Sequence, residues 1–392
     1  MRRRNTRAAS FFALVDIIIL STIILSFILG LVTIPHIVHL SHELHLYDQP
    51  DKRKIHSLPI PRLGGVAFLP IVIVTMSLIL VILLRLQADS YLLWNSAVIQ
   101  HFLAFLAGSV MLFSIGLYDD VHGVSYKKKF LLQILAATLL CVSGLWVADF
   151  SYVFFIREVP WWVGMPATVL AVVYVTNAIN LIDGIDGLAA GLAIIALIVI
   201  AALNIYLGHL AWAMIATATL GVLCAFFYFN VFGKRDKTFM GDAGSLTLGY
   251  TLAFLILHFW QRDPVWNRHI HNVGIIALST LIIPMFDVVR VMMSRLRDKR
   301  DPFLPDKNHI HHKLLRTGMS PTWVMITLLC LSSAFIFINY LTASYLSQTL
   351  MIIFDILGFC LMHMIINIFI WKKERATGIE WDRIMQSPSQ QS

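Results

Sequence analysis

The sequence predicts an all-α polytopic membrane protein of about eleven transmembrane helices, and three observations predict it. Hydrophobic residues make up 58% of the 392 and charged residues only 13%, with a mean hydropathy of +0.77, outside the range of soluble chains. Apolar runs of the roughly 17–25 residues that a bilayer requires recur along the chain. Between them lie compact polar stretches rich in Asp, Asn, Lys, His and Gly, and acids at a membrane edge are costly unless they have work to do.

A basic start, Arg2, Arg3, Arg4 and Arg7, leads into an apolar run over residues 11–38. That run exceeds the roughly 7–15 residues of a signal-peptide core and no small-residue cleavage site follows, so it reads as a retained first span. Ten further runs occupy 63–84, 97–117, 130–149, 160–178, 187–207, 210–229, 244–260, 273–290, 321–341 and 346–371. Residues 1–376 thus form one integral-membrane domain, and the polar segment 377–392 is expected to be a disordered cytoplasmic tail. His36, His39, His42 and His45 step by three, so on a helix of 3.6 residues per turn they fan over a broad sector and read as interfacial. Trp161, Trp162, Trp260 and Trp266 fall at span ends, as an aromatic belt would. Cys141, Cys224, Cys330 and Cys360 lie inside apolar runs without paired spacing, so they read as small buried hydrophobes and not as a disulfide set or zinc site.

Loop charge sets the orientation. One side collects Lys52, Arg53, Lys54, Arg62, Lys127–Lys129, Lys234, Arg235, Lys237, the basic residues from Arg290 through Arg316, and Lys372, Lys373, Arg375 and Arg383; the tally is 22 against 8. The richer side is expected to be cytoplasmic. An odd number of spans then puts the N-terminus outside and the C-terminus in the cytoplasm, with the four N-terminal arginines on the minority side. The net charge of +8 is explained by this bias and by anionic headgroups, and no nucleic-acid signature accompanies it.

With that topology the unusual polar stretches share the cytoplasmic face. They are the segment from Tyr47 through His56 to Gly65, Asp119-Asp120 with Lys127, Lys128 and Lys129, the stretch Asn177–Gly191, the stretch Asn230–Ser245, and the segment holding His309, His311 and His312. In Asn177–Gly191 two amides and two carboxylates, Asp183 and Asp186, are each spaced by three, and glycines follow both acids. Glycine permits tight turns and close ligand approach, so the stretch is expected to be a polar loop presenting carboxylates, as are Asp119-Asp120 and Gly241-Asp242-Ala243-Gly244. Carboxylates at span ends suit a hard cation such as Mg²⁺, which keeps positions for water and phosphate oxygens. Lys and Arg nearby can balance a diphosphate, and a further carboxylate or histidine can take a proton. Together these types spell metal-assisted phosphoryl transfer.

Tyr118-Asp119-Asp120, Asn177-x-x-Asn180-x-x-Asp183-Gly-x-Asp186-Gly-Leu188, Phe239-Met240-Gly241-Asp242-x-Gly244-Ser245 and His309-Ile310-His311-His312 resemble the signatures of the polyprenyl-phosphate N-acetylhexosamine-1-phosphate transferases. Arg53-Lys54-Ile55-His56 and Pro61-Arg62-Leu63-Gly64-Gly65 extend the resemblance over residues 47–316. It implies transfer of a sugar-1-phosphate from a UDP-N-acetylhexosamine to undecaprenyl phosphate, with release of UMP, in a bacterial cytoplasmic (inner) membrane. It implies Mg²⁺, with Mn²⁺ as a substitute, held by Asp242 and Asp119. By the same resemblance Asp119, Asp120, Asp183 and His312 are catalytic. Asn180, Gly184, Ile185, Asp186, Asn230, Phe239, His309, His311, Lys127, Lys129, His56 and Arg62 bind substrate, Phe239 by stacking on uracil. The His-Ile-His-His form resembles the branch that uses UDP-GlcNAc to begin lipid-linked envelope polysaccharides. Between Asn230 and Phe239, Gly-Lys-Arg-Asp-Lys-Thr stands where the family usually has a short proline-containing linker. Membrane lipids are expected partners, and a homodimer is compatible with the class.

Other readings stay open on the sequence. Asp183 and Asp186 also suit ordinary turns, and Asp242 also suits a helix cap. Three histidines could bind zinc. Asp287 and Arg290 are spaced for an ion pair or for an extension of the site. A phosphotransferase loading UDP-muramoyl-pentapeptide is the alternative within the family. A secondary transporter is the rival from another class, although its charges would sit near the midplane in repeated halves.

Overall fold

The computed structural model describes residues 2–48, 60–86, 95–153, 156–260, 272–301 and 308–377. His56, Trp266 and the segment 378–392 lie outside them. In order, the helices are α1 (Arg2–Glu43), α2 (Phe68–Arg85), α3 (Ser96–His122), α4 (Tyr126–Val142), α5 (Trp161–Ile182), α6 (Leu188–Tyr206), α7 (Leu210–Phe232), α8 (Gly241–Leu257), α9 (Val273–Ser279), α10 (Ile282–Arg297), α11 (Ile310–Arg316), α12 (Pro321–Thr342) and α13 (Gln348–Thr377). Two short antiparallel ribbons, β1 (Tyr47–Asp48) with β2 (Ile60–Pro61) and β3 (Asp149–Val153) with β4 (Ile156–Glu158), and two 3-10 turns, Gly64–Ala67 and His258–Trp260, complete the described elements.

Nine of these helices are long and apolar enough to cross a bilayer, and α9 with α10, bent by 69°, make a tenth as a broken span. α4, at 17 residues, falls short of that length, so the described residues hold nine or ten such spans and the expected eleven is approximate. The bend falls where Pro284, which has no amide hydrogen to donate, enters the first turn of α10.

The core is α8, with α3 and α5 on its flanks, α7 beside α6, and α1 laid along α7. Small residues set these approaches. A Cβ at Gly30 would strike Ala225, one at Gly249 the backbone of Thr176, and one at Gly116 the backbone of Ala243. Such contacts let helices pack by dispersion where lipid removes any hydrophobic drive between them. Several buried hydroxyls donate back to the carbonyl four residues earlier, as in Thr176 to Val172 (2.8 Å), Thr247 to Ala243 (2.7 Å) and Thr251 to Thr247 (2.8 Å), and so are satisfied within their own spans. Asp355 of α13 accepts from Asn339 of α12 at 2.7 Å, which pays its cost inside the apolar layer.

Four expectations need correction. Asn177 and Asn180 are in the last turns of α5, Asp119 and Asp120 are in the last turn of α3, and Gly241, Asp242, Ala243 and Gly244 open α8; of these stretches only 183–187 is a loop. Helical hydrogen bonding does not stop where hydrophobicity stops: α3 runs on to Gly123, whose φ of +73° ends it. Cys330 and Cys360 face outward from α12 and α13 and are not buried; only Cys141 is. The ribbons were not foreseen, because two- to five-residue strands leave no period to read. His36, His39, His42 and His45 are all exposed at one end of α1 and just beyond it.

Candidate active site

The site forms where helix ends meet. Asp120, at the end of α3, accepts from the backbone amides of Asp242 (2.8 Å) and Ala243 (3.0 Å), so a carboxylate from one helix caps the N-terminus of another. Gly241, with φ +69°, makes the turn into α8; a Cβ there would meet the Arg62 carbonyl and the Asp120 carboxylate. Lys129, in the first turn of α4, donates to Asp119 Oδ2 at 3.2 Å and Asp242 Oδ2 at 2.7 Å. Asp119 Oδ1 accepts from the Val124 amide at 2.5 Å. Asn180 donates to Asp242 Oδ1 (3.1 Å) and to Ser245 Oγ (2.8 Å). Four helices thus bring two carboxylates, one amide and one ammonium to a point.

Next to this cluster lies the loop after α5. Asp183 sits at the C-cap of α5, and Gly187, with φ +75°, starts α6. Asp183 touches solvent yet is surrounded by protein, and loss of hydration, then the carboxylates of Asp186 and Asp242, push its carboxyl up to about 7 against the pull of Arg62. Asn230 ties the loop to the segment before α8: its Oδ1 accepts from Gly187 N (2.6 Å) and its Nδ2 donates to the Thr238 carbonyl (2.8 Å). Lys237 pairs with Asp186 at 2.6 Å. Phe239 is half-buried and its backbone is held on both sides, the amide by the Pro61 carbonyl (2.8 Å) and the carbonyl by Gly64 N (3.0 Å). Ile185, at the centre of the loop, is buried.

The histidine segment completes the set. Asp287, buried on α10, accepts from His309 Nδ1 (2.8 Å), the Ile310 amide (2.9 Å) and the Arg290 guanidinium (2.8 Å). Asp287 and Arg290 are therefore both an ion pair and a support of the candidate site. The His311 ring occupies the space a side chain at Gly184 would need, which joins this segment to the loop. His309 and His311 stack in parallel at 5.9 Å, and His312 lies against His311 at 4.2 Å. Burial, then the neighbouring His312 and His309, hold the His311 imidazole well below its usual range, so it is neutral.

Of the residues singled out from sequence, Asp119, Lys129, Asn180, Asp242 and Asp120 converge directly, and Asp183, Gly184, Ile185, Asp186, Asn230, Phe239, His309, His311 and His312 line the adjoining loop and segment. Arg62 reaches the cluster through its backbone and its charge. Lys127 is exposed, away from the carboxylates, on the rim of an apolar groove between α4 and α5. Sequence reasoning missed Gln133, whose amide is paired with that of Asn177 (2.6 Å); a lone amide within an apolar run was the available signal.

Among the described residues no three of His, Cys, Asp and Glu are grouped to hold a metal. Asp119 and Asp242 nevertheless aim one oxygen each at a single cationic centre, and two carboxylates with outer positions left for water and phosphate are what Mg²⁺ accepts.

Fold and site together define a polytopic membrane protein whose acid-, amide- and lysine-bearing helix ends build one polar centre. Residues 102–259 match the model of glycosyl transferase family 4. The chain is 30% identical over 305 residues, 76% of its own length and 78% of the relative's, to a probable undecaprenyl-phosphate N-acetylglucosaminyl 1-phosphate transferase of Bacillus subtilis (strain 168). It is 28% identical to the undecaprenyl-phosphate alpha-N-acetylglucosaminyl 1-phosphate transferase of Yersinia pestis, over 81% of this chain and 83% of that one. The corresponding protein of Escherichia coli (strain K12) is 29% identical over 81% and 82%. The chain belongs to this family of membrane glycosyl transferases.

Proposed function

We propose that the protein transfers GlcNAc-1-phosphate from UDP-GlcNAc to undecaprenyl phosphate, releasing UMP and so beginning a lipid-linked envelope polysaccharide. The observation that carries this is the meeting of Asp119, Lys129 and Asp242 beside the loop Asp183–Gly187. A lipid phosphate oxygen attacks the phosphorus that bears the sugar, and the bond from that phosphorus to UMP breaks. Lys129 offsets phosphate charge, Asn180, itself held by Ser245, keeps Asp242 in place, and Asp120 acts as a positioning residue that fixes the start of α8. Phe239 and the Gly184–Asp186 loop receive the uridine, and the histidine segment the diphosphate and sugar. Asp119 and Asp242 are the residues that would hold Mg²⁺, which would supply Lewis-acid polarisation of the phosphates.

A groove of about 990 Å³ supports the lipid acceptor: it runs between α4 and α5 from Lys127 past Phe130, Ile134 and Met165 to Trp161 and Trp162. It opens at Lys127 in the first turn of α4, the turn that also carries Lys129 on its other face, so the phosphate of a polyprenyl chain lying there has to pass around the end of α4 to reach the carboxylates. The loop-charge bias favours a site on the cytoplasmic face and, with the eleven spans expected from the sequence, an N-terminus outside and a C-terminus inside; the bacterial relatives favour an inner membrane.

The test is UMP release by purified protein with undecaprenyl phosphate, comparing UDP-GlcNAc, UDP-GalNAc and UDP-muramoyl-pentapeptide, with Mg²⁺ and with EDTA. Release with UDP-GlcNAc, lost in EDTA, is the expected result. Release only with the pentapeptide donor overturns the donor assignment, and release undiminished by EDTA overturns the metal.

A further inference from the structure

α11 carries His311 and His312 on seven residues, a helix too short to hold its own orientation. Asp287 ties the residues before it, and its other side rests on α13. Lys313 Nζ donates to His363 Nε2 at 2.9 Å and to Asn367 Oδ1 at 3.0 Å. His363 and Asn367 are four residues apart on α13, so they share a face. An ammonium only donates, so His363 must offer the Nε2 lone pair and carry its proton on Nδ1.

The His363 ring stacks on Phe359 (6.3 Å, 2° between planes), which meets Phe286 of α10 edge-on at 5.5 Å, one residue before Asp287. Lys373, further along α13, lies over Gly318, just past the end of α11. The last span therefore touches the segment at its middle and beyond its end.

We propose that α13 is a positioning element of the donor site: His363 and Asn367 act through Lys313 to hold His311 and His312 against the Gly184 loop. This rests on the function proposed above. Without its two acceptors, the Lys313 ammonium at the membrane edge swings toward water and turns α11 with it. His363 and Asn367 touch none of Asp119, Lys129 and Asp242, so the effect falls on the sugar-nucleotide and spares the lipid phosphate.

The experiment uses the full chain in lipid nanodiscs, comparing wild type, His363→Ala with Asn367→Ala, and His363→Gln, which keeps an acceptor. The paired alanines are expected to raise KM for UDP-GlcNAc about tenfold and to leave KM for undecaprenyl phosphate within twofold, with His363→Gln close to wild type. Backbone amides of 310–316 should exchange with deuterium faster in the alanine variant and at the wild-type rate in His363→Gln. Equal rises in both KM values, an unmoved donor KM, or unchanged exchange overturns the clamp. A wild type that transfers from no donor sinks the proposed function instead, and the exchange measurement still decides whether α13 holds α11.

Discussion

The two ends of this helix bundle both gather polar side chains, and they do so in opposite ways. At the proposed cytoplasmic end Asp119, Asp120, Asp242, Asn180 and Lys129 bond one another across four helices, but Asp183, Asp186 and Lys237 stay open to solvent. At the other end His209 Nδ1 meets His258 Nε2 at 2.8 Å, Trp212 packs on His258 at 4.8 Å, and His101 stacks over Trp212 at 6.2 Å. The first cluster concentrates like charge that a bound cation and substrate can neutralise. The second holds no carboxylate among these contacts, and its rings pack on one another. Polar clustering alone does not mark a site; uncompensated negative charge at solvent-reachable helix ends does.

The comparison breaks most sharply at the carboxylates. Asp119→Asn or Asp242→Asn is expected to lower UMP release at least about a thousandfold, the scale of losing a preorganised electrostatic group, while the detergent-solubilised variant keeps its elution profile. Loss of activity together with aggregation would make these residues structural and erase the distinction between the ends.

A smaller effect comes through pH. The Asp183 carboxyl is pushed up to about 7, so it is neutral below that pH and charged above it. If its charged form serves transfer, kcat/KM, which reports the free enzyme, rises with pH and levels off above about 7. Asp183→Asn should remove that limb. The sign on stability is the reverse: a carboxyl whose pKa is raised on folding binds its proton more tightly in the folded state, so stability falls as pH climbs from about 4 toward 7. Asp183→Asn is accordingly expected to be less active and, at neutral pH, no less stable by thermal melting. A variant that loses both would make Asp183 a structural cap.

Much of this was legible in the sequence, and the misses have physical causes. The spans could be read because a bilayer imposes length and apolarity directly, and the site residues because each motif keeps its acids, amides and glycines in local order. The partners of those residues were not legible. That Asp120 caps α8, or that Lys129 bridges Asp119 and Asp242, depends on which helix ends meet, and no local pattern carries that. The helical state of Asn177 and Asn180 was obscured for another reason: polarity suggested a loop where backbone bonding carried α5 on to Ile182. Lys127 and Lys129 could not be separated by type, yet two residues turn a helix by about 200°, so only one can face the carboxylates.

The smallest expected effect lies at the far end. His258→Gln removes one ring from contact with Trp212 and alters its hydrogen bond to His209, a loss on the order of 1 kcal/mol for one buried pair. Thermal melting should show a drop of a few degrees, while kcat and both KM values stay within about twofold, because His258 lies at the opposite end of α8 from Asp242. The prediction is sharpened by symmetry along α8 itself: one helix joins both clusters, so any rigid-body consequence of the substitution would have to travel its whole length, past Gly249 packed on Thr176 and Tyr250 bonded to the Ala136 carbonyl at 3.1 Å. Those contacts anchor the middle of the helix to α5 and α4. A tenfold loss of activity in a folded His258→Gln protein would therefore mean that the two ends are coupled, and that the far cluster takes part in the cycle and not only in packing.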